Sequence, residues 1–401
     1  MRKGYIGLIL GALLSAACGG DEAAPPPAAP PPPPPVAVAP PPAPTTTVAT
    51  PPPAPKPTMA EMQAAAAKTV SEALNAHDAK KYAGMFAEDG VYMMAGIGEM
   101  KGRGEVEKQI QQWFDGFKDM KFAFTRAWMK GDMAAYEWAW SGTHTGEFMG
   151  MKPTEKQAGV TGVTLVWFNP DGTMKRANQY SDSTTMLTQL GIVKGKARPV
   201  PTMAANMDSW AAKGTPEEDK NVDVFKAMMG AMEAKKEADF LATATDDVEW
   251  NDMTTPEAHK GKADAKKAFA MLTKAFPDMK STATTTMGVG DMALVEYTLT
   301  GTMKGPMGPI PAKNKPVTMH GLQILQIKDG KVAKGWDYSN SMEMLAQIGM
   351  APKMPAAGAK DAKPAAAGDK KPAAPAGDKK PAAPAGDKKP AEKKPEPAKK
   401  P

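Results

Sequence analysis

The chain has 401 residues, 40 of them proline, a single cysteine and a formal net charge of +6. From Ala351 onward it carries 13 lysines against 6 acidic residues, a net of +7, so everything before that point nets −1. The basic character therefore belongs to a tail, and the remainder has no nucleic-acid signature.

Arg2 and Lys3 precede an apolar run from Tyr5 to Leu14, and Ser15-Ala16-Ala17 lead into Cys18. A charged start, a short apolar stretch and small residues before a cut site read as an export signal over 1–17. The run is about half of the ~20 residues that a membrane-spanning helix needs. Cys18 directly after the small residues resembles the bacterial lipobox, with Leu14 displaced by one position. That resemblance implies acylation of Cys18 and a membrane anchor; a plain secretory signal is the alternative. Gly19 in place of Asp favours the outer over the inner membrane, so the expected location is the cell envelope, periplasmic or surface-facing.

Residues 18–57 are rich in Pro and Ala, and 351–401 in Pro, Ala and Lys, with Gly-Asp-Lys-Lys-Pro-Ala recurring at Gly368, Gly377 and Gly386. Neither stretch holds the large apolar residues that offset chain entropy, so both read as disordered. The tail reads either as a solvated spacer or as a contact for anionic cell wall or lipid.

Between these segments the chain repeats itself. Lys101-Gly102, Asp119-Met120-Lys121, Gly131-Asp132-Met133-Ala134 and Gly142-Thr143 all recur 159 positions later, as Lys260-Gly261, Asp278-Met279-Lys280, Gly290-Asp291-Met292-Ala293 and Gly301-Thr302. Asp171-Gly172 and Gln189-Leu190-Gly191 recur 158 positions later, at Asp329 and Gln347. A constant offset with one deletion is the mark of a duplication. Two domains follow, 58–192 and 216–350, joined by a link over 193–215.

Each copy opens with a capping box, Thr58-x-x-Glu61 or Thr215-Pro216-x-Glu218, before an amphipathic helix. A short second helix leads to a strand near Val91 or near Val248 and Trp250. A third helix spans Val106 to Phe117 or Ala263 to Phe276, and a meander of strands follows, the last after an Asp-Gly turn. Three helices on one face of an antiparallel sheet make each copy an α+β domain. The 31 methionines read as adaptable core filler rather than copper ligands.

Ala275-Phe276-Pro277-Asp278, the run Gly142-Thr143-His144-Thr145-Gly146-Glu147-Phe148-Met149-Gly150 and Asp329-Gly330-Lys331-Val332 appear in the order seen in a known family. Both copies resemble the SnoaL-like polyketide cyclases, or ester cyclases, of the nuclear-transport-factor-two-like superfamily. The resemblance implies two cone-shaped domains, each a strongly curved sheet and three helices around an apolar pocket, with no metal or cofactor. It also implies an aspartate on the last strand acting as acid and base, with His and Asn helpers. That position falls on Asp337 in the second copy and Gln179 in the first; three residues on stand Asn340 and Asp182. A helper histidine of the preceding strand falls near Gln323 and Leu165, neither of them His, while His144 and His259 match other parts of the pattern. Trp336, Tyr338 and Trp250 are expected beside Asp337 as ligand contacts, and His320 is read as structural.

The preferred reading is a lipid-anchored envelope protein whose pockets bind a small apolar or carbonyl-bearing molecule without full catalytic competence. An Asp337-dependent cyclase or isomerase and a ligand-free scaffold are the alternatives. The resemblance also implies that the copies pair through their open sheet faces as a pseudo-dimer.

Overall fold

The computed structural model describes residues 56–352, so the expectations for the export signal, Cys18, most of the Pro-rich linker and the Lys-rich tail lie outside the described residues. The first repeat runs α1 (Met59–Asn75), α2 (Ala79–Gly84), β1 (Phe86–Met94), β2 (Gly98–Lys101) and α3 (Arg103–Gly116). It continues with β3 (Lys121–Lys130), β4 (Met133–Thr143), β5 (Gln157–Phe168), β6 (Met174–Tyr180) and α4 (Ser183–Gln189). A short strand, β7 (Asp208–Ala211), lies in the link. The second repeat begins with α5 (Pro216–Glu233), α6 (Glu237–Ala242), β8 (Ala244–Asp252), β9 (His259–Lys260) and α7 (Gly261–Ala275). Then come β10 (Lys280–Val289), β11 (Met292–Thr302), β12 (Pro316–Lys328), β13 (Lys331–Ser339) and α8 (Ser341–Ile348).

Both expected capping boxes form: Thr58 and Thr215 each accept from the amide three residues on, and Glu61 and Glu218 reach back to the cap. The sheets share one order, β2-β1-β6-β5-β4-β3 and β9-β8-β13-β12-β11-β10, with β7 added at the first sheet's edge. The α+β class holds, but the sheets are not wholly antiparallel. β1 pairs in parallel with β6, β8 with β13, and β7 with β3. A first strand that leads through a helix, rather than a tight turn, is free to pair this way. Each repeat also ends in a short helix beyond the last strand, which the sequence reading did not separate from the closing Gln-Leu-Gly or Gln-Ile-Gly.

The duplicated motifs turn out to be fasteners. Asp119 accepts from the amide and hydroxyl of Thr143 at 2.6 and 2.7 Å, and Asp278 does the same for Thr302 at 2.8 and 2.7 Å. The missing residue lies in the β5–β6 hairpin: five residues separate the strands in the first copy and two in the second. Those two are Asp329 and Gly330, both at positive φ (52° and 70°), the tight turn that this pair favours. Bulges fall at matching places, Thr125 and Thr284, and bend both sheets.

The helices cover one face of each sheet, and the opposite faces share a single core. Trp128, Ala135, Val163, Leu165 and Tyr180 from the first repeat pack with Met287, Leu294, Leu322, Ile324 and Tyr338 from the second. Counted by the duplication offset, these are the same five positions twice. Two buried carboxylates cross this seam. Glu137 accepts from Thr125 (2.6 Å) and Arg126 (2.5 and 2.7 Å) of its own repeat, and from the Tyr338 hydroxyl of the other. Glu296, its counterpart, accepts from Thr284 (2.9 Å) and Thr285 (2.8 Å), and across the seam from Asn178 (2.6 Å) and Tyr180 (2.8 Å). Burial pushes Glu137 up, but the Arg126 guanidinium outweighs this and holds it below the ordinary glutamate value.

Arg126→Met strands the Glu137 charge in a dry seam and is expected to cost about 3–5 kcal/mol of stability. Tyr338→Phe, which removes one donor to that charge, should cost about 1.5–3 kcal/mol. Urea midpoints at unchanged slope check both values. A loss under ~0.5 kcal/mol in Arg126→Met would mean that the carboxylate is solvated.

Candidate functional site

A strand presents alternate side chains to opposite faces, and on β13 this decides everything. Asp337 points into a cavity of about 210 Å³ in the second repeat, enclosed by α5, α7, β8, β11 and β12. Trp336 and Tyr338, expected beside it, point the other way. Tyr338 is fully buried in the seam, and Trp336 carries the Arg126 guanidinium 4.0 Å from its ring centre. Both are seam residues, not ligand contacts. The expectation failed because flanking residues on a regular strand cannot share a face with the residue between them.

Within the cavity Asp337 is surrounded by protein but keeps a surface open to the hollow. The Tyr297 hydroxyl donates to it at 3.0 and 3.2 Å, and Gln323 Nε2 at 2.5 Å. Gln323 stands opposite Asp337 in the β12–β13 register, and Asp252 is its partner on β8. Asp252 and Tyr297 are the site residues the sequence reading missed. The signal for Asp252 was the parallel β8–β13 pairing, which a reading limited to antiparallel hairpins does not contain. Tyr297 reaches Asp337 because the residue facing it across the ladder is Gly321: a Cβ there would stand 2.6 Å from the tyrosine oxygen.

Burial pushes Asp337 up to about 7; the nearby charge of Asp252 adds to the shift, and the hydrogen bonds from Gln323 and Tyr297 oppose it. A carboxyl poised near neutrality can both accept and return a proton.

Trp250 and His259 line the same cavity, His259 from the exposed strand β9 at its rim. Asn340 also borders it, yet its amide is spent elsewhere. Nδ2 donates to Ala95 O (2.6 Å) and Ser183 Oγ (2.9 Å), and Oδ1 caps α8 through Met342 N (3.1 Å). Asp182, its counterpart, caps α4 through Thr185 N (2.7 Å) and reaches across the seam to Ser341 N (3.0 Å). Both are helix caps that fasten one repeat to the other. His144 is a core residue: it is fully buried, stacks on Phe117 at 5.3 Å and contacts Thr154 through Nδ1, and burial lowers its pKa. Met303 fills the same place in the second copy, which shows that the loop needs bulk there, not a titrating ring. His320 pairs with Glu343 at 3.2 Å and does not line the cavity.

The first repeat has a cavity of about 90 Å³. Gln179 lines it and receives the Tyr92 hydroxyl. The residue opposite Gln179 is Thr164, not Leu165, which lies in the seam. Met94 stands where the second copy has Asp252. The size difference follows from side chains at the duplication offset. Trp113, Phe122, Phe124, Tyr136 and Trp140 in the first copy become Leu272, Ser281, Ala283, Val295 and Leu299. Aromatic bulk fills one hollow, and its absence opens the other.

Helices on one face of a curved sheet, closing a pocket that in the second repeat holds an acid on the last strand, define a small cone-like α+β domain. The sequence profile of the SnoaL-like polyketide cyclases matches residues 64–190 and 222–348. The chain belongs to that family, in two tandem copies. No curated protein matches the sequence. Similar solved structures include AclR from Streptomyces galilaeus, 22% identical over 34% of this chain and 86% of that one, with a TM-score of 0.31. A protein of Jannaschia assigned to the SnoaL-like polyketide cyclases is 21% identical over 34% and 96%, with a TM-score of 0.32. An LEH-like epoxide hydrolase of M. tuberculosis is 13% identical over 34% and 94%, with a TM-score of 0.29.

An unfolded aspartate titrates near 3.9, about three units below Asp337 in place. Between about pH 4 and 7 the folded chain therefore holds a proton that the unfolded chain has released, and stability falls as pH rises through that window. Asp337→Asn is expected to melt with the wild type near pH 4 and a few degrees above it at pH 8, by differential scanning calorimetry. Parallel melting curves across the range would place the carboxylate in water.

Proposed function

We propose that the second repeat is the working site, binding a small carbonyl-bearing molecule and moving a proton at a carbon next to that carbonyl. The observation that carries this reading is a single carboxyl, Asp337, enclosed in a mostly apolar hollow and held by Tyr297 and Gln323. In its charged form Asp337 takes the proton. Once protonated it releases the Tyr297 hydroxyl, which is then free to donate to the oxygen where charge develops. This differs from pocket binding without turnover, the reading preferred on sequence alone. The missing His at position 323 argued against catalysis, but Tyr297 supplies a donor from another strand. The first repeat has no ionisable group at the matching positions, and its part is to hold β13 through Glu137 and Arg126, as the partner half of a pseudo-dimer.

Export and lipidation at Cys18 remain part of this proposal, supported by Arg2, Lys3, the apolar run and the small residues before the only cysteine. The tail's lysines suit an anionic surface.

Two outcomes follow. Incubated with simple β-keto esters in D2O, the wild type should speed exchange at the acidic carbon, and Asp337→Asn should lose at least a hundredfold while still being stabilised by the compound. Equal exchange by the variant refutes proton transfer at Asp337. Cys18→Ser should move the protein from the membrane to the soluble fraction; an unchanged distribution excludes the lipid anchor.

A further inference from the structure

One buried acceptor of the second cavity is left without a donor. Gln323 is buried, 6% exposed, and its Nε2 is spent on Asp337 while its Oε1 has no partner among the described residues. Asp252 accepts the amide and hydroxyl of Thr254 through Oδ1, at 2.8 and 2.7 Å, and its Oδ2 takes no hydrogen bond among the described residues. The Tyr297 hydroxyl is already committed to Asp337. The acceptors left around Asp337 are Gln323 Oε1, Asp252 Oδ2 and the Asp337 carboxylate itself, while the Ser339 and Ser341 hydroxyls line the same hollow. Of these only Gln323 Oε1 is buried without a donor, and it carries a desolvation penalty that a ligand removes by donating; Asp252 Oδ2 belongs to a half-buried side chain.

Charge points the same way. Among the described residues neither Lys nor Arg lines the cavity; Asp252, Asp264, Asp337 and His259 do. Asp264 is already paired with Lys267 and the amide of Lys260, at 2.8 and 3.1 Å. Arg198 lies behind Asp252 and is bound to the backbone oxygens of Asp252 and Thr255, at 2.8 and 3.0 Å, without lining the hollow. Two carboxylates on adjacent strands therefore face one apolar space into which no Lys or Arg of the described residues projects. Trp250 and Tyr297 line it as well, aromatic neighbours of the kind that suit a positive charge, among seven polarisable methionines. The first repeat makes the contrast: Met94, Thr164 and Gln179 replace Asp252, Gln323 and Asp337, and its cavity lining has no charged residue.

We propose that the ligand of the second repeat carries a protonated amine on a small apolar body, with its N–H groups received by Asp252 Oδ2 and Gln323 Oε1. The inference rests on the reading of this cavity as a small-molecule site and names the chemistry of what enters it. An ammonium supplies the missing donors and offsets the repulsion between Asp252 and Asp337; a carboxylate ligand supplies neither. A cavity of about 210 Å³ has room for one ring, since about 150 Å³ suffices for benzene.

Four probes of one shape separate the possibilities: benzylamine, benzyl alcohol, toluene and benzoate, titrated by calorimetry at pH 8 into the full chain. Benzylamine is expected to bind at least tenfold more tightly than benzyl alcohol, and benzoate not measurably. Asp252→Asn should bring the amine down to the alcohol's affinity and leave toluene unchanged. If toluene and the alcohol bind as well as the amine, the cavity stands and the amine preference is overturned. Amine binding that survives both Asp252→Asn and Gln323→Leu also overturns it, by placing the charge elsewhere. Failure of all four probes, with no rise in melting temperature, refutes the small-molecule site itself.

Discussion

Two glutamates at the seam between the repeats govern the rest of the molecule. Glu137 and Glu296 sit where charge is expensive, and each takes, beside the donors of its own repeat, a tyrosine hydroxyl that the other repeat provides. Neither repeat therefore completes its own polar bonding. The exchange is reciprocal and falls on matching positions, the geometry of an isologous interface between identical subunits, here contained in one chain. The two ends are no longer chemically equal. Glu137 has an arginine beside it, while Glu296 has threonines and an asparagine, so the duplication has kept the contact and varied its electrostatics.

The same divergence is written on the opposite face of each sheet. In the first repeat, tryptophans and phenylalanines occupy the hollow; in the second, leucine, serine, alanine and valine leave it open. Buried area that steadies one half is given up in the other to leave a larger hollow. One half has become ballast for its twin. A fold that had to pack tightly and stay hollow in one unit would face opposed demands, and duplication separates them.

Much of this architecture was legible in the residues. Repeated motifs at a fixed offset, capping boxes and an Asp-Gly turn announced two α+β copies and their order, because each depends on local rules. Asp337 was reachable by counting from that turn. What could not be read was set by distant pairing. Asp252 joins the site only through a parallel strand contact, and Tyr297 only because Gly321 leaves space across the ladder. His144, Asp182 and Asn340 looked chemical by residue type, yet burial or capping absorbs each of them. Trp336 and Tyr338 were misplaced by neglecting the pleat, an error that a count of alternate residues would have removed.

That pleat also makes β13 a hinge between two compartments. Its odd and even positions serve different masters: one row answers to the solvent-shielded chamber, the other to the neighbouring half. A shift of the strand by one residue would turn the carboxylate toward hydrophobic packing and the tyrosine toward the void. The cavity lining and the packing between the halves would then be lost in the same stroke, so the register of a single nine-residue ribbon holds both.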